Sequence, residues 1–165
     1  MKQKNLYLLA GVPGSGKSTW LKQHAPDNSI IVSRDQIRFS LLQDGEDYFA
    51  HESEVFFKFI NQINDALENE YSDAPIFVDA THLTKASRAK LLKRLFKEDI
   101  ATLSIYWFDV PLKTCFERND QRSDLAKVPR KVIRRMFYQK EFPTLEEGID
   151  KIFIINEKGE INGYN

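Results

Sequence analysis

An octapeptide near the start of the chain, Gly11-Val12-Pro13-Gly14-Ser15-Gly16-Lys17-Ser18, fits the pattern G-x-x-x-x-G-K-[ST]. Residues of these types at this spacing bind phosphate. Gly11, Gly14 and Gly16 are expected at positive φ, where backbone N–H groups can approach phosphate oxygens with no Cβ in the way. A helix beginning near Lys17 adds its positive dipole end. In this arrangement Lys17 bridges the β- and γ-phosphates of a nucleotide and the Ser18 hydroxyl ligates Mg²⁺. Thr19 either shares the metal role or lies on the helix surface. An ordinary glycine-rich turn is the simpler alternative, but the octapeptide follows a strand-like run and precedes a helical pattern, which is the context phosphate binding needs.

A phosphate loop does not say what attacks the γ-phosphate. In Ser33-Arg34-Asp35-Gln36-Ile37-Arg38, Asp35 is placed to take a proton from an incoming hydroxyl, and Arg38, three residues on, shares its helix face. A base beside a guanidinium suits an acceptor that carries its own phosphate. The competing reading makes Asp35 a helix cap and Arg38 a surface partner. Asp79, at the end of Phe77-Val78-Asp79, stands where an acid holds Mg²⁺ directly or through water; Thr84 is better placed to cap the following helix. His24, His51 and His82 are read as non-catalytic. The polar stretch 118–130 is expected to be a mobile lid delivering an arginine to the transferred phosphoryl group. Arg122 is the first candidate, with Arg118 and Arg130 behind it.

The elements that must position these residues follow from periodicity. Runs at 5–10, 29–33, 75–80, 102–110 and 151–155 read as five strands. Their continuous apolarity is that of strands covered on both faces. Apolar stripes at Phe56, Phe59, Ile60, Ile63 and Leu67, at Leu91, Leu92, Leu95 and Phe96, and at Val132, Ile133, Met136 and Phe137 read as helices. Strand alternating with helix predicts a three-layer α/β fold with a mostly parallel sheet, whose ligands bind beyond the C-terminal strand ends. The chemistry is then expected at Gly11, Ser33 to Asp35, Asp79 to His82, and Asp109. No repeat or linker interrupts residues 1–165, which read as one domain.

The balance of 24 Lys+Arg against 24 Asp+Glu hides an asymmetry. Residues 44–73 hold nine acids and one base, whereas 113–140 hold nine bases and three acids, so an anionic ligand is drawn to the latter. The single cysteine, Cys115, cannot form an intramolecular bridge, and no Cys/His spacing resembles a zinc site. No stretch approaches the roughly 20 apolar residues of a membrane helix, and the N-terminal run is unlike a secretory signal. A reducing cytoplasm is the expected compartment, and no protein partner is implied.

In order along the chain, GVPGSGKSTW (11–20), SRDQIR (33–38), VDATHL (78–83), FDVP (108–111), ERNDQR (117–122), VPRKVIRRM (128–136) and PTLEEGIDKI (143–152) resemble the 5′-polynucleotide kinase domain of phage and repair enzymes, within the P-loop kinase and AAA-domain NTPase group. The resemblance implies a P-loop kinase fold that binds ATP and Mg²⁺. It implies that Lys17 and Ser18 hold ATP and Mg²⁺, and ATP contacts are expected from Gly11, Pro13, Gly14, Ser15, Gly16, Lys17, Ser18, Thr19, Arg118 and Arg122. Asp35 would activate the acceptor hydroxyl and Arg38 would grip its phosphate. Arg122 would be the lid arginine. Asp79 with Thr81 looks like the family's acidic strand end on the acceptor side, with Ser18 and Asp79 at the metal, although His82 stands where asparagine is common. No D-x-D-x-T phosphatase motif occurs. The leading expectation is transfer of the ATP γ-phosphate to the 5′-OH of a nucleic acid end. The alternatives are a small-metabolite kinase, which the acidic 44–73 segment would suit, and a regulatory nucleotide-binding module.

Overall fold

The computed structural model describes residues 2–123 and 126–164. Among them, β1 (Lys4–Ala10), β2 (Ile30–Ser33), β3 (Ile76–Asp79), β4 (Ile100–Phe108), β5 (Lys151–Ile155) and β6 (Ile161–Tyr164) form one sheet in the order β2-β3-β1-β4-β5-β6. The first five strands are parallel and β6 runs antiparallel to β5. Successive side chains of a strand point to opposite faces. Leu8, Leu9 and Ala10 are all buried, as is every residue of β3, so both faces of the sheet centre are covered. This is the α/β architecture the strand–helix alternation predicts.

The sixth strand is a departure from the five expected. Its sequence, INGY, has a glycine and little apolar content, and Ile161 and Tyr164 are largely exposed. The turn before it makes the strand: Asn156 accepts a backbone bond from Gly159, and its N–H donates to Glu160 O at 2.9 Å.

Among the described residues six α-helices connect the strands: α1 (Lys17–His24), α2 (Arg34–Leu41), α3 (Glu52–Glu68), α4 (Lys85–Leu92), α5 (Leu112–Asp120) and α6 (Arg130–Gln139). In α3 the stripe buries Phe59, Ile60, Ile63 and Leu67, and Lys4 Nζ donates to the Leu67 carbonyl in the last turn and to the Asn69 carbonyl just past the helix end, 2.6 Å from each. A cation there complements the helix dipole. Thr84 caps α4 with a capping box to Ser87, an arrangement worth about 1 kcal/mol. The stripe from Leu91 to Phe96 does not stay helical: α4 ends at Leu92, Leu95 is buried beyond it, and Phe96 is exposed. Asn64 on α3 holds that exit, donating to Arg94 O and accepting from Phe96 N–H. No helix among the described residues is long and apolar enough to cross a membrane.

Strand register sets the rim on which the site is built. Asp79 pairs with Leu9 on one side and with Ser33 on the other. The exits of β1, β2 and β3 therefore lie side by side, bringing the glycine loop, the start of α2 and the acidic strand end together.

Candidate active site

The loop from Gly11 to Gly16 leaves β1 and enters α1. Its first N–H donates to Thr81 O at 3.0 Å, and Ser15 N–H closes the turn on Val12 O at 3.1 Å. Gly14 and Gly16 take the left-handed conformation, with φ of 88° and 95°. Gly14 is also pressed against α5, where a Cβ would come 2.3 Å from the Cys115 carbonyl oxygen. Gly11 differs from expectation: it is not among the positive-φ residues. Its need is space, since a Cβ would meet Ser15 Oγ at 2.5 Å and Phe108 Cβ at 2.9 Å. The first turn of α1 carries no side-chain cap and no acid, so its N–H groups and dipole are left for an anion.

Lys17 folds back on this loop, donating to Gly11 O at 2.9 Å and Val12 O at 3.3 Å. Burial holds its ammonium below the ordinary lysine value, partly offset by the carboxylates of Asp79 and Asp35. Ser18 Oγ donates to Asp79 Oδ2 at 2.8 Å. Burial pushes the Asp79 carboxyl up, against the pull of Lys17 and of the Ser18 bond.

Ser18 and Asp79 together offer a hydroxyl and a carboxylate oxygen within reach of one ion. Both are hard oxygen donors, and Mg²⁺ is commonly held by one or two carboxylates plus substrate phosphates. Among the described residues no cluster of three or more His, Cys, Asp or Glu could hold a metal by itself. The donor set thus fits a magnesium ion completed by nucleotide oxygens.

Asp35 and Arg38 face the same cleft, which is lined by Pro13, Lys17 and Ser18 on one side and by Asp35, Arg38 and Tyr48 on the other. Asp79, Thr81 and Arg122 also border it. Asp35 is not the cap of α2. That role belongs to Ser33, whose Oγ accepts from Gln36 N–H at 3.3 Å, leaving the Asp35 carboxylate for the cleft. It is paired there with Arg38 and accepts from the Tyr48 hydroxyl at 2.7 Å. Burial, reinforced by Asp35, raises the Tyr48 phenol above its ordinary value, so Tyr48 remains a donor.

Arg38 is almost fully buried. Its Nε donates to Glu52 Oε1 at 2.8 Å and its Nη1 to the Tyr48 hydroxyl at 2.9 Å, while the guanidinium lies 4.4 Å from the Tyr48 ring centroid. Arg34 Nη2 takes the other Glu52 oxygen at 3.1 Å. Glu52 and Tyr48 were not among the expected site residues, whereas Arg34 fell within the expected 33–35 stretch without a role of its own. The signal for Glu52 and Tyr48 in the sequence was the acid-rich segment from which both come.

The three lid candidates separate clearly. Arg122 borders the cleft, with a long bond of 3.4 Å from Nη1 to Ala126 O. Arg118 is a helical residue of α5 that donates to Ser15 O at 3.2 Å and Glu157 O at 2.7 Å. Arg130 begins α6 and pairs with Asp120 at the surface. Both ends of the expected lid are thus helical, and the connection is 121–129, of which Asp124 and Leu125 lie outside the described residues. Ser15, Gly16, Thr19 and Arg118 line a second hollow behind the loop, with Trp20 and the 156–159 turn. Asp109 stays outside the cleft, exposed and 3.9 Å from Lys140 Nζ. His82 is buried, and its Nδ1 meets Leu9 O at 2.8 Å.

A parallel sheet whose central strand opens into this loop, with an acid at the end of the neighbouring strand, defines a nucleotide-binding domain of the P-loop kinase and NTPase class. A family model described as an AAA domain matches residues 6–143, and the chain belongs to that family. It is similar to a chain from a Pnkp1/Rnl/Hen1 RNA repair complex, with a TM-score of 0.68 and 24% identity over 84% of this chain and 44% of that one. The present chain therefore spans less than half of that relative. A sugar kinase from Janibacter sp. gives a TM-score of 0.64 and 14% identity, covering 95% of this chain and 87% of the other. Chaetomium thermophilum Kti12 in complex with ADP-AlF3 gives 0.62 and 14%, covering 92% and 88%. At these identities the likeness is one of fold.

Proposed function

We propose that the protein is an ATP-dependent kinase that phosphorylates the 5′-hydroxyl of a nucleic acid end. The observation that carries this reading is the placement of Asp35 and Arg38 in the cleft that also holds Lys17, Ser18 and Asp79. A carboxylate to take the acceptor's proton beside a guanidinium to bind its phosphate suits a phosphate-bearing hydroxyl acceptor.

The loop N–H groups and Lys17 hold the triphosphate, and the nucleoside end rests in the hollow beside Trp20 and Arg118. Ser18 and Asp79, together with phosphate oxygens, would hold Mg²⁺, whose charge would offset that of the transferred group when bound. Asp35 accepts the proton of the acceptor hydroxyl as its oxygen bonds to the γ-phosphorus and the bond from that phosphorus to the ADP oxygen breaks. Arg38 exchanges its bond to Asp35 for the acceptor's own phosphate, a group that guanidinium binds in a bidentate way. Arg122, carried by the 121–129 connection acting as a lid, stabilises charge on the phosphoryl oxygens. Residues 1–165 act as one domain in this scheme. The RNA repair complex among the structural neighbours accords with a nucleic acid acceptor.

A small hydroxyl metabolite is the second reading, favoured by the sugar kinase neighbour and by the acidic 44–73 segment. Incubation with γ-labelled ATP and a panel of 5′-OH RNA and DNA strands, sugars and nucleosides separates the readings. Label on the strands is expected. Label on a sugar or nucleoside alone, or released only as inorganic phosphate, overturns the proposal.

A further inference from the structure

The cleft continues past Arg34 and Glu52. Both side chains also line a groove on the outer surface between α3 and the end of α4. Its floor includes Phe56 and Ile60, and Lys90 and Arg94 stand along it. Three cations converge on a single ring there: Lys90 Nζ lies 4.5 Å from the Phe56 centroid, Arg34 Cζ 5.4 Å and Arg94 Cζ 5.5 Å. Cations gathered this closely repel one another, and the face of a phenyl ring offsets only part of that cost.

Carboxylates do not make up the difference. Among the described residues neither Lys90 nor Arg94 has an acid within ion-pair distance. Glu52 is the one acid lining the groove, and its two oxygens are taken by Arg38 and Arg34. Although α3 belongs to the acid-rich segment, its other groove residues are Ser53, Phe56, Phe57, Ile60 and Asn61, all uncharged. Phe57 is 67% exposed. The groove is thus basic, carries an exposed aromatic ring, and joins the cleft on the acceptor side.

Building on the kinase reading above, we propose that this groove holds the single-stranded nucleic acid that follows the phosphorylated 5′ end. Its backbone phosphates run past Arg34 to Lys90 and Arg94, and a base stacks on Phe57. A positive track with an aromatic platform is what a single strand needs from a protein surface, because every nucleotide brings one charge and one flat face. A lone small metabolite would fill the cleft and leave the groove without effect.

The test compares a 5′-OH dinucleotide with a strand of about ten nucleotides, a length typical of single-strand grooves. Both are assayed with the wild-type protein, a Lys90→Glu/Arg94→Glu double variant and Phe57→Ala, and binding of the labelled strand is titrated across salt. All three positions are exposed, so the fold should persist. The expected result is a KM for the longer strand raised about tenfold by the charge reversal and several-fold by Phe57→Ala, with KM for ATP and for the dinucleotide unchanged. The salt dependence of strand binding should flatten by about 1.4 in log–log slope, about 0.7 for each lost cation. Equal phosphorylation of both lengths, insensitive to these substitutions, overturns the groove proposal and leaves the kinase reading standing. Absence of transfer to any 5′-OH strand overturns both.

Discussion

Ser18 and Asp79 touch across the rim of the sheet, hydroxyl to carboxylate at 2.8 Å, though 61 residues separate them in the chain. Parallel strand register produces this contact, because β1 and β3 end level with each other. The pair is suited to share a magnesium ion, and Asp79→Asn should expose that role. Nucleotide binding without Mg²⁺ should persist, while the gain in affinity on adding Mg²⁺ should fall by about tenfold, the ordinary scale of one charge-assisted contact. Titration of a fluorescent ATP analogue with and without Mg²⁺ measures it. An unchanged gain would remove Asp79 from the metal site.

Asp35 accepts from Tyr48 and pairs with Arg38, leaving it oriented into the cleft. Asp35→Asn can still accept the Tyr48 bond but cannot take a proton. Phosphoryl transfer should drop by a factor on the order of 10² to 10⁴, the usual worth of a general base, with ATP affinity unchanged. Lys17→Ala should abolish transfer and weaken ATP binding as well. Single-turnover kinetics beside equilibrium binding separates the two effects, and a wild-type rate for Asp35→Asn would void its assignment.

Arg38 is held by Glu52 from the start of α3, and the same carboxylate restrains Arg34. Removing one partner of such a pair disorders the other and leaves a buried charge short of its bonds. Glu52→Gln should therefore raise KM for the phosphate-bearing acceptor about tenfold while KM for ATP stays constant. Arg38→Ala should act in the same direction and further. A matching loss for ATP would reassign Arg38 to the donor side.

The residues that share the cleft were legible to different degrees for a physical reason. Lys17, Ser18, Asp35 and Asp79 lie at or just beyond the ends of apolar runs, and a parallel sheet gathers those ends at one rim. Tyr48 and Glu52 come from a loop and a helix start whose approach depends on the packing of α2 against α3, which no local pattern encodes. Arg118 read as a lid residue because its neighbours are polar. Yet Leu112, Cys115, Phe116 and Asn119 give α5 a packed face, and Arg118 is tied to the loop from that helix. The edge strand β6 was missed because an exposed four-residue hairpin partner needs little apolar sequence.

His82 stands in the left-handed region at φ 45°, with Nδ1 donating to Leu9 O and Nε2 buried without a partner. Burial lowers its pKa to about 4, and Arg34, Lys17 and Arg88 disfavour the cation further. A histidine depressed from 6.5 contributes stability that is fully present above about pH 6.5 and is lost as pH falls toward 4. By about pH 5 the loss should reach roughly 2 kcal/mol, since a tenfold difference in proton affinity between the folded and unfolded chain is worth about 1.4 kcal/mol. Asparagine tolerates the left-handed conformation and retains a donor for Leu9, but does not titrate. His82→Asn should therefore lose less stability than the wild type between pH 7 and 5, by about that amount in urea unfolding, while groups common to both proteins cancel in the difference. Parallel stability profiles for the two proteins would mean that the buried ring is not the group that acid attacks.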